Sequence, residues 1–351
     1  MQTSTGTKSP RVVAVANQKG GVGKTTTAVN LAACLAAGKR KTLLIDLDPQ
    51  GNASGGLGLD RHTSSTIYDV LIGRRELNEC IQSTEIPDLF VIPSNQNLIG
   101  AEVELINAIS REKKLKIALK KLPEDFEVVI FDCAPSLGLL TINAFTASDS
   151  ILIPTQCEYY AMEGLGQLLS TFQIVKDDIN EQLEIEGVLL TMFDPRNKLT
   201  HEVVKEMKSH FPEKLYETFI PRNVKLSESP SFGKPIVTYD PESKGCQAYI
   251  ALAEEFLRRN NMGTLDMSAI AALRPKEEAA EPVVEAQETR VEAIVPVEVT
   301  PVEEVVAVAE EAAVPRETTE EPVVQAEQVL DSVIAETGVD ASAETDARGG
   351  V

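Results

Sequence analysis

Lys19-Gly20-Gly21-Val22-Gly23-Lys24-Thr25-Thr26 follows the apolar run Arg11-Val12-Val13-Ala14-Val15-Ala16 and precedes the helix-like stretch 27–37. Strand, glycine loop and helix in that order form the setting that a phosphate-cradling loop requires. Glycines let backbone N–H groups converge on an anion, and the helix turns its positive end toward the same point. Lys24 can reach β- and γ-phosphates, and the Thr25 hydroxyl can ligate Mg²⁺. Gly20, Gly21, Val22, Gly23 and Thr26 supply the rest of the cradle. Lys19 is redundant for one triphosphate. Its charge makes sense if it reaches outward to a nucleotide on another subunit.

Two strand ends complete the pattern. Leu43-Leu44-Ile45-Asp46-Leu47-Asp48-Pro49-Gln50-Gly51-Asn52 places two carboxylates where a parallel sheet would face the loop. Asp48 is the better candidate for orienting an attacking water, and Asp46 for the second shell of Mg²⁺. Pro49-Gln50-Gly51-Asn52 has the character of a γ-phosphate-sensing switch, although a plain turn after a strand uses the same residues. Val128-Val129-Ile130-Phe131-Asp132-Cys133-Ala134-Pro135 is an apolar strand ending in Asp132, placed to hold Mg²⁺ through water. In Ile220-Pro221-Arg222-Asn223-Val224, Pro221 can pack on a base and the Asn223 amide can meet an adenine edge. The alternative for Asn223 is a helix cap.

Around these motifs, short apolar runs at 12–16, 42–46, 89–93, 128–132, 150–154, 186–192 and 215–220 alternate with helical patterns at 25–37, 98–122, 138–147, 162–179, 200–210 and 243–260. Continuous apolar strands between helices predict an α/β, doubly wound, mostly parallel sheet of the P-loop NTPase kind. The expected organisation is a flexible 1–10, an ATPase domain at 11–262 and a disordered acidic tail at 263–351.

Charge supports that division. The chain of 351 residues carries a formal net charge of -21, but residues 265–351 hold 21 acidic and 5 basic residues. This Glu/Val/Ala/Pro-rich tail lacks aromatic residues and cannot bury enough surface to offset its ordering entropy. Val329, Leu330, Val333 and Ile334 share one helical face within it. Elsewhere, no apolar stretch reaches the roughly 18–20 residues that span a bilayer, and the polar N-terminus lacks a signal region. The cysteines Cys34, Cys80, Cys133, Cys157 and Cys246 form no C-x-x-C pair and read as reduced, buried small residues. The three histidines form no metal-like cluster.

Taken together, these motifs resemble the ParA/Soj branch of the deviant Walker A ATPases over residues 11–260. The resemblance is carried further by Phe131-Asp132-Cys133-Ala134-Pro135, Glu158-Tyr159-Tyr160-Ala161-Met162-Glu163-Gly164-Leu165 and Pro221-Arg222-Asn223-Val224-Lys225-Leu226-Ser227-Glu228. It implies a chromosome- or plasmid-partitioning ATPase that binds ATP and Mg²⁺ and hydrolyses slowly unless stimulated. It also implies a nucleotide-sandwich homodimer in which Lys19 crosses to the partner's phosphates, with Lys24 and Asp48 catalytic. The implied partners are non-specific DNA and a ParB-type centromere-binding protein, in a cytoplasmic, nucleoid-associated setting. Arg196, Arg222 and Lys225 are the DNA-contact candidates, ahead of Arg258-Arg259.

The same resemblance leaves neighbouring functions to weigh. A MinD-type membrane regulator would need a basic amphipathic C-terminal helix, whereas this chain ends Ala347-Arg348-Gly349-Gly350-Val351 after an acidic tail. A nitrogenase iron-protein-type reductase would need cysteines spaced to bridge a cluster. A ParA-like ATPase positioning a non-chromosomal cargo would keep the whole nucleotide mechanism and change only the stimulating partner.

Overall fold

The computed structural model describes residues 9–60, 63–158 and 163–273. The elements run β1 (Arg11–Val15), α1 (Lys24–Ala37), β2 (Thr42–Leu47), α2 (Asn52–Gly56), α3 (Ile67–Leu71), β3 (Gln82–Ser83), β4 (Leu89–Ile92), α4 (Leu98–Glu104), α5 (Lys114–Leu119), β5 (Val128–Cys133), α6 (Leu139–Ala147), β6 (Ser150–Gln156), α7 (Glu163–Asp178), β7 (Glu184–Thr191), α8 (Lys198–His210), α9 (Val224–Glu228), α10 (Ile236–Tyr239), α11 (Lys244–Arg259) and α12 (Met267–Ala272).

The sheet order is β3-β4-β2-β5-β1-β6-β7, and every pairing is parallel except the short β3–β4 edge. Successive side chains point to opposite faces of a strand, so one apolar run feeds two cores. Val13, Val15, Leu44, Val128 and Ile130 pack under α1, α11 and α12. Ala14, Leu43, Ile45, Val129 and Phe131 pack on the other face with residues of α3 to α8. The doubly wound, mostly parallel sheet expected from the sequence is therefore the fold.

The differences are caused by side chains distant in sequence. The run 215–220 is not a strand. It meets β7 at one isolated parallel bridge, Val188 with Leu215, and a second bridge just past both segments joins Phe193 to Pro221. Its middle is drawn off by Glu255 on α11, whose carboxylate accepts the Glu217 and Thr218 amides, each at 2.9 Å. The long helix expected at 98–122 is broken between α4 and α5, with Ser110 left-handed at φ 53. Asn143 on α6 fastens the break, donating to the Arg111 carbonyl at 2.8 Å and accepting from the Leu115 amide at 3.3 Å.

The expected domain boundary at 262 falls too early. Leu265 and Ile270 are buried in the α1 face of the core, and Asp266 caps α12 through the amides of Ser268 and Ala269. Apolar residues after a Gly263 turn signal were enough to close this side of α1. The near-end segment 327–336, the remainder of the tail and Tyr159-Tyr160-Ala161-Met162 lie outside the described residues.

Candidate nucleotide site

β1, β5 and β2 end side by side, and their loops meet at the N-terminus of α1. Gly23 is the N-cap of α1, with φ 87, and no side chain caps the helix, so its first amides are free for an anion. Asn17 anchors the start of the loop: its Nδ2 donates to the Pro154 carbonyl at 2.8 Å and its Oδ1 accepts the Lys19 amide at 3.0 Å. Thr191, at the end of β7, anchors the middle by donating its hydroxyl to the Val22 carbonyl at 2.8 Å. The loop is thus tied to two strands of the sheet, β6 and β7.

The two lysines stand in different surroundings. Lys24 is buried and donates to the Lys19 carbonyl at 2.9 Å. Burial lowers its pKa, and the nearby Asp132 and Asp48 charges offset part of that loss. Lys19 is half-exposed and pairs its ammonium with Glu158.

Three carboxylates converge on the loop. Asp46 and Asp132 are register partners on β2 and β5 and are both fully buried. Asp46 accepts the Asp48 amide at 3.0 Å, the Ser54 amide at 2.9 Å and the Ser54 hydroxyl at 2.7 Å. Burial still pushes its pKa up to about 6, against those bonds. Neither oxygen of Asp132 has a hydrogen-bond partner. Burial and the neighbouring Asp46 raise its pKa well above the carboxylate range, and the Thr25 hydroxyl facing it and Lys24 offset part of the rise. Asp48 accepts the Gln50 amide at 2.9 Å, which fixes its carboxylate at the mouth of the site. Gly51 turns the chain behind it at φ 63, where a Cβ would lie 3.0 Å from the Ser94 carbonyl oxygen.

A cleft of about 490 Å³ joins the loop to the segment after Ile220. Gly23, Thr26, Thr191, Met192, Pro221 and Asn223 line it. Pro221 therefore lines the same cleft as the phosphate loop. Asn223 is a cap first: its Oδ1 accepts the Lys225 amide at 2.8 Å, starting α9. That leaves the amide NH₂ to meet a ligand, so the donor-and-acceptor pairing expected of it reduces to a donor.

From the sequence, Glu158 stands only within a motif, with no role, and Ser54, Thr191 and Met192 have no place in the site. Thr191 and Met192 had a signal, being the carboxyl end of a parallel strand, where ligands of open α/β sheets gather. Met192 is left-handed at φ 51, a backbone outlier of the kind found at binding sites. Arg196 and Arg222 both face Asp194, and Arg196 grips it through two bonds at 2.9 and 2.8 Å. Lys225 pairs with Glu228 at 3.0 Å. Arg258 and Arg259 are also paired, with Glu217 and Glu255. All five cysteines are buried, as expected.

No cluster of three His, Cys, Asp or Glu among the described residues could hold a metal alone. A divalent ion nevertheless fits the donor set. Mg²⁺ takes one or two carboxylates and completes its shell with phosphate oxygens and waters. Asp132, orphaned beside the Thr25 hydroxyl, has the form of such a carboxylate.

A family model described as an AAA domain matches residues 10–185. The chain is 53% identical over 251 residues to a chromosome partitioning protein ParA of Myxococcus xanthus, covering 71% of this chain and 89% of that one. It is 53% identical over 246 residues to the sporulation initiation inhibitor protein Soj of Bacillus subtilis, covering 70% and 97%. A solved cobyrinic acid a,c-diamide synthase from Mycobacterium smegmatis, with bound ADP and magnesium, superposes with a TM-score of 0.64 at 37% identity, covering 73% of this chain and 97% of that one.

Proposed function

The chain belongs to the ParA/Soj family of partitioning ATPases, and from that premise we propose that it is an ATP-driven switch for chromosome or plasmid segregation. Two protomers close on ATP and magnesium, bind DNA without sequence preference, and separate when a ParB-type partner stimulates hydrolysis. One observation carries this reading: Lys24 already occupies the loop, while Lys19 stands half-exposed as a second cation, paired with Glu158 beyond β6. The higher identity to the two partitioning relatives favours them over the reaction named for the synthase.

ATP lies with its phosphates on the uncapped α1 amides and its base toward Pro221 and the Asn223 NH₂. The Lys24 ammonium, held on the Lys19 carbonyl in the described state, is one exchange away from a phosphate oxygen. The Thr25 hydroxyl and, through water, Asp132 would hold magnesium, which would supply charge neutralisation at the phosphate oxygens. Asp48, fixed by the Gln50 amide, orients the attacking water. Asp46 holds the Asp48 backbone and the start of α2, so its role is to keep the switch segment in place. Lys19 leaves Glu158 and closes the partner's pocket.

DNA is met by Arg196, Arg222 and Lys225. The two arginines share Asp194 and the lysine is matched by Glu228, so the patch carries a net charge of +1 per protomer. Dimerisation doubles it, giving a salt dependence of roughly two phosphates from this patch.

Light scattering with and without Mg²⁺–ATP tests the reading. The parent dimerises only with nucleotide, Lys19→Ala stays monomeric, and Asp48→Ala remains a dimer while hydrolysis falls about 10²-fold. Nucleotide-dependent dimerisation of Lys19→Ala at the parent's level would overturn it.

A further inference from the structure

The outward side of α4 and α5 carries a surface that the nucleotide site does not use. Ile99, Val103 and Ile106 recur at i, i+4 and i+7 and are 64%, 69% and 54% exposed. Ile109 and Ile117 extend the same region, at 90% and 49%. Five of the nine exposed large apolar side chains among the described residues fall within this one span of chain. Lys113, Lys116 and Lys120 stand exposed beside it at helical spacing. Arg111 donates to the Ile106 carbonyl at 2.7 Å, fixing the start of the basic run against the apolar stripe.

Glu104 is exposed on α4 and the cations gather at α5, so the surface offers an apolar stripe with a cationic end, and that combination selects its occupant. A nucleic acid would use the lysines and leave the isoleucines wet. A second copy meeting it across a two-fold axis would bring the same cations together. An acidic amphipathic helix would satisfy both features, and the sequence contains a segment with that pattern. Glu327-Gln328-Val329-Leu330-Asp331-Ser332-Val333-Ile334-Ala335-Glu336 places four apolar residues on one helical face, flanked by Glu327, Asp331 and Glu336. We propose that this segment docks in cis on the α4–α5 face, so that the acidic tail folds back onto its own ATPase domain.

The chain is long enough to reach. Leu273, just past α12, is on the α1 side of the sheet and the patch is on the other. The 53 residues between Leu273 and Glu327 span about 40 Å r.m.s. as a coil. A domain of this size is about 45 Å across, so the path around the sheet is accessible. Tethering at that length gives an effective concentration on the order of 1 mM, and a contact with Kd of about 0.1 mM is then filled roughly nine-tenths of the time.

Hydrogen exchange of residues 98–117 in the nucleotide-free full chain tests the docking. Replacing Val329, Leu330, Val333 and Ile334 together by serine lies outside the folded domain, and we expect it to speed exchange there about tenfold. The triple change Lys113→Glu, Lys116→Glu, Lys120→Glu is expected to do the same. A synthetic peptide of residues 320–338 at millimolar concentration should restore slow exchange to the tail variant. Equal exchange in the parent and the tail variant overturns the proposal. So does protection that vanishes on dilution in step with dissociation to monomer, which would assign the face to a second copy. No arm uses nucleotide, so failure here leaves the ATPase reading untouched.

Discussion

The ends of β2 and β5 hold two aspartates that are neighbours in register and alike in burial, yet opposite in what surrounds them. Asp46 accepts two amides and a hydroxyl; Asp132 accepts no hydrogen bond and has only the Thr25 hydroxyl facing it. A buried carboxylate with its bonds made holds structure together. One without them costs about 1–3 kcal/mol or more until something arrives to satisfy it. The contrast separates a residue that builds the site from one whose partner lies outside the chain. Glu255 completes the series: burial pushes its pKa up, but the Glu217 and Thr218 amides and Arg259 outweigh that and leave it lowered. Asp46 has only neutral donors, and its pKa stays raised.

The largest effect expected is on chemistry at Asp132. Asp132→Asn should reduce Mg²⁺-dependent ATP hydrolysis by at least about 10²-fold, a size typical of losing one charge-stabilising group. The apo variant should melt no lower than the parent, because no bond is lost. A steady-state assay beside a melting curve measures both, and a large drop in apo stability would break the contrast.

Next comes Asp46. Asp46→Ala orphans the Ser54 hydroxyl and the Ser54 and Asp48 amides, and should destabilise the fold by about 3 kcal/mol. Urea unfolding of Asp46→Ala beside Asp132→Ala measures it. Equal midpoints for the two variants would erase the distinction.

The smallest effect is a pH dependence at Glu255. Its folded pKa lies below the unfolded value, so its contribution is present above about pH 4.5 and is lost as pH falls through the folded pKa. Glu255→Gln should therefore melt below the parent at pH 7, and the gap should close as pH falls from about 4.5. Melts across that range check it; a gap that widens toward acid would mean the carboxylate works against the fold.

How much of this was legible depended on how local its cause was. The Lys19–Thr26 loop could be read because strand, glycines and helix are adjacent in sequence and each element's signal is its own. The apolar runs of β1, β2, β5 and β6 were found because burial on both faces leaves an unbroken signature. The run 215–220 looked the same and failed, because Glu255, some 37 residues away, takes the amides that a ladder would need. The break near Ser110 was hidden for a similar reason: Asn143, on another helix, holds it open. Asn223 showed a polar amide after a turn, but not which of its atoms would be engaged.

The sequence by itself determined a parallel α/β sheet with a phosphate loop at its centre and acidic strand ends around it, since those follow from residue order and hydrophobic pattern. It assigned the two aspartates different roles but could not show which donors each would find, or that Lys19 would rest on Glu158 while Lys24 lay in the loop. Asp46 takes its donors from Asp48 and Ser54, close by in the chain, once α2 turns back on the strand end, whereas Glu158 reaches Lys19 from the far side of the sequence. Contacts between residues a hundred or more positions apart are set by packing and not by pattern.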